Sequence, residues 1–116
     1  MGNIAYEKSF AFAVEIVALS KEMTKRHEYE LSKQILRSGT SIAANVSESE
    51  YAQSNADFVS KLSIALKEAA EIRYWLKLLT ETGDVPRETS EGLLKQVDEI
   101  VRILAASVRT AKQKEV

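Results

Sequence analysis

The sequence predicts an all-α protein, an antiparallel up-down-up-down bundle of four helices. Three observations lead there. One proline and four glycines among 116 residues are too few for a turn-rich sheet. Apolar residues recur at steps of three and four, the period of a helix face. The breaks in that period fall near Arg26–Glu28, Gln53–Asn55 and Thr82–Pro86. They leave helical stretches of about 7–26, 30–52, 55–82 and 87–112, with ends uncertain by two to four residues. By length, residues 1–116 make one domain.

The first helix carries two apolar stripes: Phe10, Ala13 and Val17 on one side, and Phe12, Ile16, Leu19 and Met23 on another. A bundle core takes one stripe of roughly 100°, so the second predicts a further packing partner. In the second helix Leu31, Ile35, Ile42 and Val46 share a face, with Gly39 in the slot between Ile35 and Ile42. Glycine in a helix interior costs roughly 1 kcal/mol against alanine. Close approach by a neighbouring helix is the expected compensation. Ser54 followed by Asp57 reads as a capping box that opens the third helix, with Asp in place of the usual Glu. That helix holds Phe58, Leu62, Ala65, Ala69, Ile72, Leu76 and Leu79 on its main face, and Ile64, Trp75, Val59, Leu66 and Ala70 on its flanks. Gly83 is placed as the left-handed residue that ends it, with Pro86 just beyond. The fourth helix aligns Leu93, Val97, Ile100, Leu104, Val108 and Ala111, and residues from Lys112 to Val116 are expected to fray.

More apolar surface is present than one bundle core needs, and an exposed surplus would form a sticky patch. The expectation is a homo-oligomer with the first and third helices at the interface, through Phe12, Ile16, Leu19, Ile64 and Trp75. The alternative is a monomer in which the third helix is simply the most central.

The second helix also carries a polar stripe of Gln34, Ser38, Ser41, Asn45 and Glu48. If the second and third helices pair about a turn near residue 53, residues level with each other sum to roughly 106, since both rise about 1.5 Å per residue. Arg37 then lies level with Glu68 and Glu71, Asn45 near Lys61, and Glu48 near Phe58. Glu68 projects onto the apolar arc and needs a partner, for which Arg37 is the obvious candidate. The cluster Arg37, Ser41, Asn45, Glu48, Glu68 and Glu71 reads first as an ion pair that sets helix register. A polar pocket for a small ligand or an enzymatic site is the alternative.

Catalysis finds little support. His27 is the only histidine, it lies in a predicted link, and no nucleophile stands at a known spacing from it. One histidine cannot supply the two Glu-x-x-His pairs of a di-iron bundle. Glu28 and Glu30 beside His27 make a solvated turn rather than a metal site. There is no phosphate-cradling loop. No metal and no cofactor are expected.

The net charge of −1 gives no global attraction for nucleic acid. Basic residues cluster as Lys21, Lys25 and Arg26 at the end of the first helix and as Arg102, Arg109, Lys112 and Lys114 late in the fourth. They either complement helix dipoles or form a basic rim that contacts RNA or DNA when repeated around a ring. Cysteine is absent, which excludes disulfides. No run of about 18 apolar residues suggests a membrane span, and no signal peptide is seen; a cytoplasmic location is expected. Met1-Gly2 does not open a myristoylation motif, because Tyr6 stands where Ser or Thr is required. The sequon at Asn45-Val46-Ser47 falls mid-helix and is discounted.

The runs LSKQILRSGTSIAANV (31–46), AQSNADFVSKLSIALKEA (52–69) and YWLKLL (74–79), with KSFAFAVEIVALSKEM (8–23) before them, resemble the four-helix-bundle family encoded in intervening sequences of bacterial 23S ribosomal RNA genes. That family is also called the S23 ribosomal protein family. The likeness covers nearly the whole chain except the fourth helix, where only apolar periodicity agrees. It implies a small bundle in a homopentameric ring with a central channel. A relative, the accessory variability protein of diversity-generating retroelements, binds nucleic acid and a reverse transcriptase. Positions that match the family pattern are Arg37, Ser41, Asn45, Glu48, Asp57, Phe58 and Glu71; Ser49 stands where many relatives have Gly. Relatives that bind nucleic acid are basic and this chain is not, so any RNA contact is expected to be weak and steeply salt-dependent. The resemblance and the residues together point to a non-catalytic oligomeric scaffold or adaptor that presents surfaces to RNA or to a nucleic-acid-associated protein. The rival is the ligand-binding or enzymatic bundle.

Overall fold

A computed structural model describes residues 3–114. Met1 and Gly2, read against the myristoylation motif, lie outside the described residues, as do Glu115 and Val116 at the end expected to fray. The described residues form four helices and no strand: α1 (Ile4–Lys25), α2 (Tyr29–Ser49), α3 (Asn55–Glu81) and α4 (Arg87–Gln113). No helix among them is long and apolar enough to cross a membrane.

Each boundary has a local cause. α1 starts earlier than its apolar period suggests because Asn3 caps it, accepting a hydrogen bond from the Tyr6 amide at 3.1 Å. It ends with His27 in the left-handed region at φ 66°, and the amides of His27 and Glu28 return to the carbonyls of Thr24 and Met23. α3 ends the same way on Gly83 at φ 81°, with the Gly83 and Asp84 amides returning to Thr80 and Leu79. Both are Schellman closures; the second uses the residue that adopts this conformation without steric cost. α2 stops at Ser49, short of the expected residue 52. Ser54 caps α3 by accepting from the Asp57 amide at 3.0 Å. Asp57 reciprocates onto the Gln53 amide at 3.2 Å, one residue before the cap. α4 remains helical through Gln113, two residues into the segment expected to fray.

Consecutive helices pack closely on one another and α1 packs on α4, while the backbones of α1 and α3, and of α2 and α4, do not come close. The result is a rod with extents of 50 × 24 × 20 Å. Asn3, before α1, donates to Glu50, after α2, at 2.8 Å. Ser20 late in α1 meets Ser32 early in α2 at 2.7 Å. Asn55 at the start of α3 donates to the Ala111 carbonyl near the end of α4 at 2.8 Å.

The α1–α2 seam is built from small residues. A Cβ on Gly39 would sit 2.7 Å from Ile16 Cγ2, which is the close approach expected at that glycine. Ser20, Ser32 and Thr24 bond one another alongside it. This seam draws the Phe12–Ile16–Leu19–Met23 stripe inward. Phe12 and Ile16 are fully buried and Leu19 is 9% exposed. The placement of Phe12, Ile16 and Leu19 at an intersubunit surface is therefore corrected: they belong to the subunit's own core, with Ile35, Ile42, Ile72, Leu76 and Leu104. Of the other stripe, Phe10 is 53% exposed while Ala13 and Val17 are only partly exposed; Val14 beside it is also more than half exposed. On α3, Ile64 stays exposed at 42%, and Trp75 is half-buried against the core.

Candidate functional site

The polar cluster lies on the α2–α3 seam. Arg37 Nη1 donates to Glu68 Oε2 at 2.8 Å, and Arg37 Nη2 donates to Glu71 Oε2. The fork thus joins two carboxylates one helical turn apart. Trp75 Nε1 donates to the same Glu71 oxygen at 3.3 Å. Glu68 is buried, at 8% exposure, while the Arg37 side chain is 51% exposed. The Arg37 guanidinium, and with it the Trp75 N–H, holds the Glu71 carboxyl below the usual carboxylate range, against partial burial that pushes it up. Arg37 is itself pushed upward, chiefly by its hydrogen bond to Glu71.

The other members of the polar stripe are turned to local duties. Ser41 Oγ donates to the Arg37 carbonyl at 2.5 Å, and Asn45 Nδ2 donates to the Ser41 carbonyl at 2.9 Å. These are bonds back along α2, not groups aimed at a ligand. Glu48 pairs with Lys61 at 3.1 Å. The expected neighbours were Phe58 for Glu48 and Asn45 for Lys61; the long lysine stem instead carries its charge toward Glu48, and Asn45 is already engaged with its own helix.

The seven basic residues do not form one rim on a subunit. Arg26 closes the α1 end, where its Nη2 donates to the Asp84 carbonyl at 2.8 Å just ahead of α4. Arg109, Lys112 and Lys114 lie at the far end of α4, roughly 30–40 Å away at 1.5 Å per residue. Lys25 sits 3.5 Å from Glu22, both exposed, which dilutes the first group further.

Comparison with known proteins decides the family. The family model described as 23S rRNA-intervening sequence protein matches residues 2–106. This chain belongs to that family. A solved structure similar to it is a protein of unknown function from the S23 ribosomal protein family of Bacteroides thetaiotaomicron VPI-5482. The two are 48% identical, the match covers 90% of this chain and 97% of that one, and the TM-score is 0.87. No curated protein is significantly similar.

The basic residues Arg109, Lys112 and Lys114 fall beyond the matched segment. His27 faces solvent with Nδ1 2.8 Å from the Tyr29 hydroxyl. Among the described residues no group of three or more His, Asp or Glu side chains is arranged to hold a metal ion. Three surface grooves are not lined by Arg37, Glu68 or Glu71. The largest, about 780 Å³, runs between the second half of α1 and the start of α4. Sequence reading missed it, because a groove arises from the spacing of two helices distant in sequence. Its one local sign is Gly92, an unexplained glycine inside a helix.

Proposed function

We propose that this protein is a non-catalytic scaffold or adaptor in the cytoplasm. It is an antiparallel up-down-up-down bundle that assembles with its own copies into a ring, and the family resemblance implies a pentamer. The pairing of helix starts with neighbouring helix ends supports the topology. One observation carries the assembly: exposed apolar side chains occur on two different faces. Phe10 and Val14 stand out on α1, and Ile64, Tyr74 and Leu78 stand out on α3. These helices are diagonal in the bundle, since their backbones do not approach each other closely. Two unlike apolar faces pointing in opposite directions favour a heterologous contact, and such contacts close into rings when the rotation allows. The Arg37 cluster supports register rather than chemistry, because both guanidinium amino groups end on carboxylates of the same subunit.

Light scattering at micromolar concentration is expected to give a mass several times 12.9 kDa, near fivefold for the pentamer; a monomer refutes the proposal. Val14→Asp and Tyr74→Asp should each abolish the assembly. A mixture of the two variants retains one intact interface and should recover a heterodimer. Failure of the mixture to associate would contradict a heterologous contact. RNA contact, if any, is through small basic clusters, so affinity should be weak and fall steeply with salt. Tight binding that is insensitive to salt would contradict it.

A further inference from the structure

We infer that the groove between α1 and α4 docks a basic amphipathic helix of about three turns from another protein. The α1–α4 seam is the loosest of the four in the bundle, and its open half leaves a groove of about 780 Å³. Ala18 and Pro86 supply the exposed apolar lining, the core residues Leu19 and Leu93 close the floor beneath them, and Glu15, Glu22 and Glu88 stand along the rim. Arg26 also lines the groove, with its guanidinium turned to the Asp84 carbonyl, and Lys25 weakly offsets Glu22. The lining on α1 runs from Glu15 to Arg26, roughly 16 Å at 1.5 Å per residue, which is the length of three helical turns. An apolar floor between carboxylates matches a helix with a leucine face flanked by lysine or arginine.

Gly92 supplies a second argument. It lies within α4 and lines the groove, and a Cβ built on it meets nothing within 4 Å. Glycine disfavours a helix interior, and at Gly39 the packing of Ile16 accounts for it. At Gly92 no group of the chain does. The space it leaves is where an incoming helix would approach most closely.

The inference concerns the adaptor role and does not require the ring. The rival occupant is a second copy, whose basic α4 end (Arg102, Arg109, Lys112) has the right sign. The probe is a synthetic 14-residue helical peptide with leucines on one face and lysines on its flanks, labelled for fluorescence anisotropy at 0.15 M salt. Micromolar binding is expected. Gly92→Leu, which fills the groove, and the double variant Glu22→Lys/Glu88→Lys should each weaken it at least tenfold. The control Glu48→Lys should not. A peptide with glutamate flanks should bind at least tenfold more weakly than the lysine one. Equal binding of both peptides, or binding unchanged by the groove variants, overturns the inference. So does a fall in native mass caused by Gly92→Leu, which would assign the groove to a second copy. Because native mass is read separately from peptide binding, failure of the ring leaves the groove result intact.

Discussion

Gly39→Val is expected to destabilise the subunit by about 3 kcal/mol, a fall in Tm on the order of 12 °C for a chain of this size. The backbone of α2 at Gly39 lies against Ile16, so that even a methyl group would sit 2.7 Å from Cγ2 and 2.8 Å from Cγ1. Ile16 is fully buried, and protein interiors are close-packed with few voids for a displaced side chain. Two effects oppose each other at this position. A residue other than glycine gains up to roughly 1 kcal/mol of helix propensity. Overpacking costs typically about 1–3 kcal/mol and more for a branched side chain. Packing therefore wins for valine by a clear margin and for alanine by a small one. The test is a double-mutant cycle read by thermal or urea unfolding. Ile16→Ala alone should cost about 2–5 kcal/mol through the cavity it leaves. Combined with Gly39→Val, the new side chain occupies that cavity, and the pair should cost less than the sum of the singles by about 1–2 kcal/mol. Strict additivity would mean that the two residues do not meet.

That contact was foreseeable, and other features were not, for physical reasons. A glycine in a helical apolar stripe demands a close neighbour, so Gly39 could be read without coordinates. Gly83 before Pro86 fixed a helix end because few residues adopt a left-handed backbone. The level of Arg37 with Glu68 and Glu71 followed from a turn position and a constant rise. The faces of α1 did not follow. Both its stripes are apolar, and periodicity cannot say which of two apolar stripes turns inward. The small-residue seam of Ser20, Ser32 and Gly39 decides it, and Ser20 and Ser32 look in the sequence like ordinary polar positions. Separation of the basic clusters was implicit in the helix count: where each link turns the chain back, an odd and an even helix end at opposite ends of the rod. The α1–α4 groove depends on how far apart the first and last helices settle, which no local pattern encodes.

The register cluster makes the second large prediction. Arg37→Ala should cost about 2 kcal/mol at pH 7. Breaking a fully buried pair costs about 3–5 kcal/mol, because a charge is left without a partner. Glu68 is buried enough to suffer that loss, yet the Arg37 side chain is 51% exposed, so water can enter and the lower figure applies. The pH dependence separates this from a simple packing loss. The Glu71 carboxyl is held below its ordinary value in the fold. Its contribution is therefore fully present above the unfolded-state pKa near 4.3, and it is lost as pH falls through the folded value. Arg37 is shifted upward, so its own titration lies far above neutrality and plays no part in the acid range. Wild type should thus lose more stability between pH 7 and pH 3 than Arg37→Ala or Glu71→Gln. The carboxyl of Glu99, lowered by Lys8, adds an acid-range slope that is common to all three proteins and cancels in the difference. Trp75, the only tryptophan, donates to the Glu71 oxygen, so its fluorescence should follow the same protonation in wild type. Arg37→Lys keeps the charge but not the fork that spans two carboxylates, and it should fall between wild type and Arg37→Ala. Parallel stability curves for wild type and Arg37→Ala across the acid range would show that the guanidinium contributes packing alone.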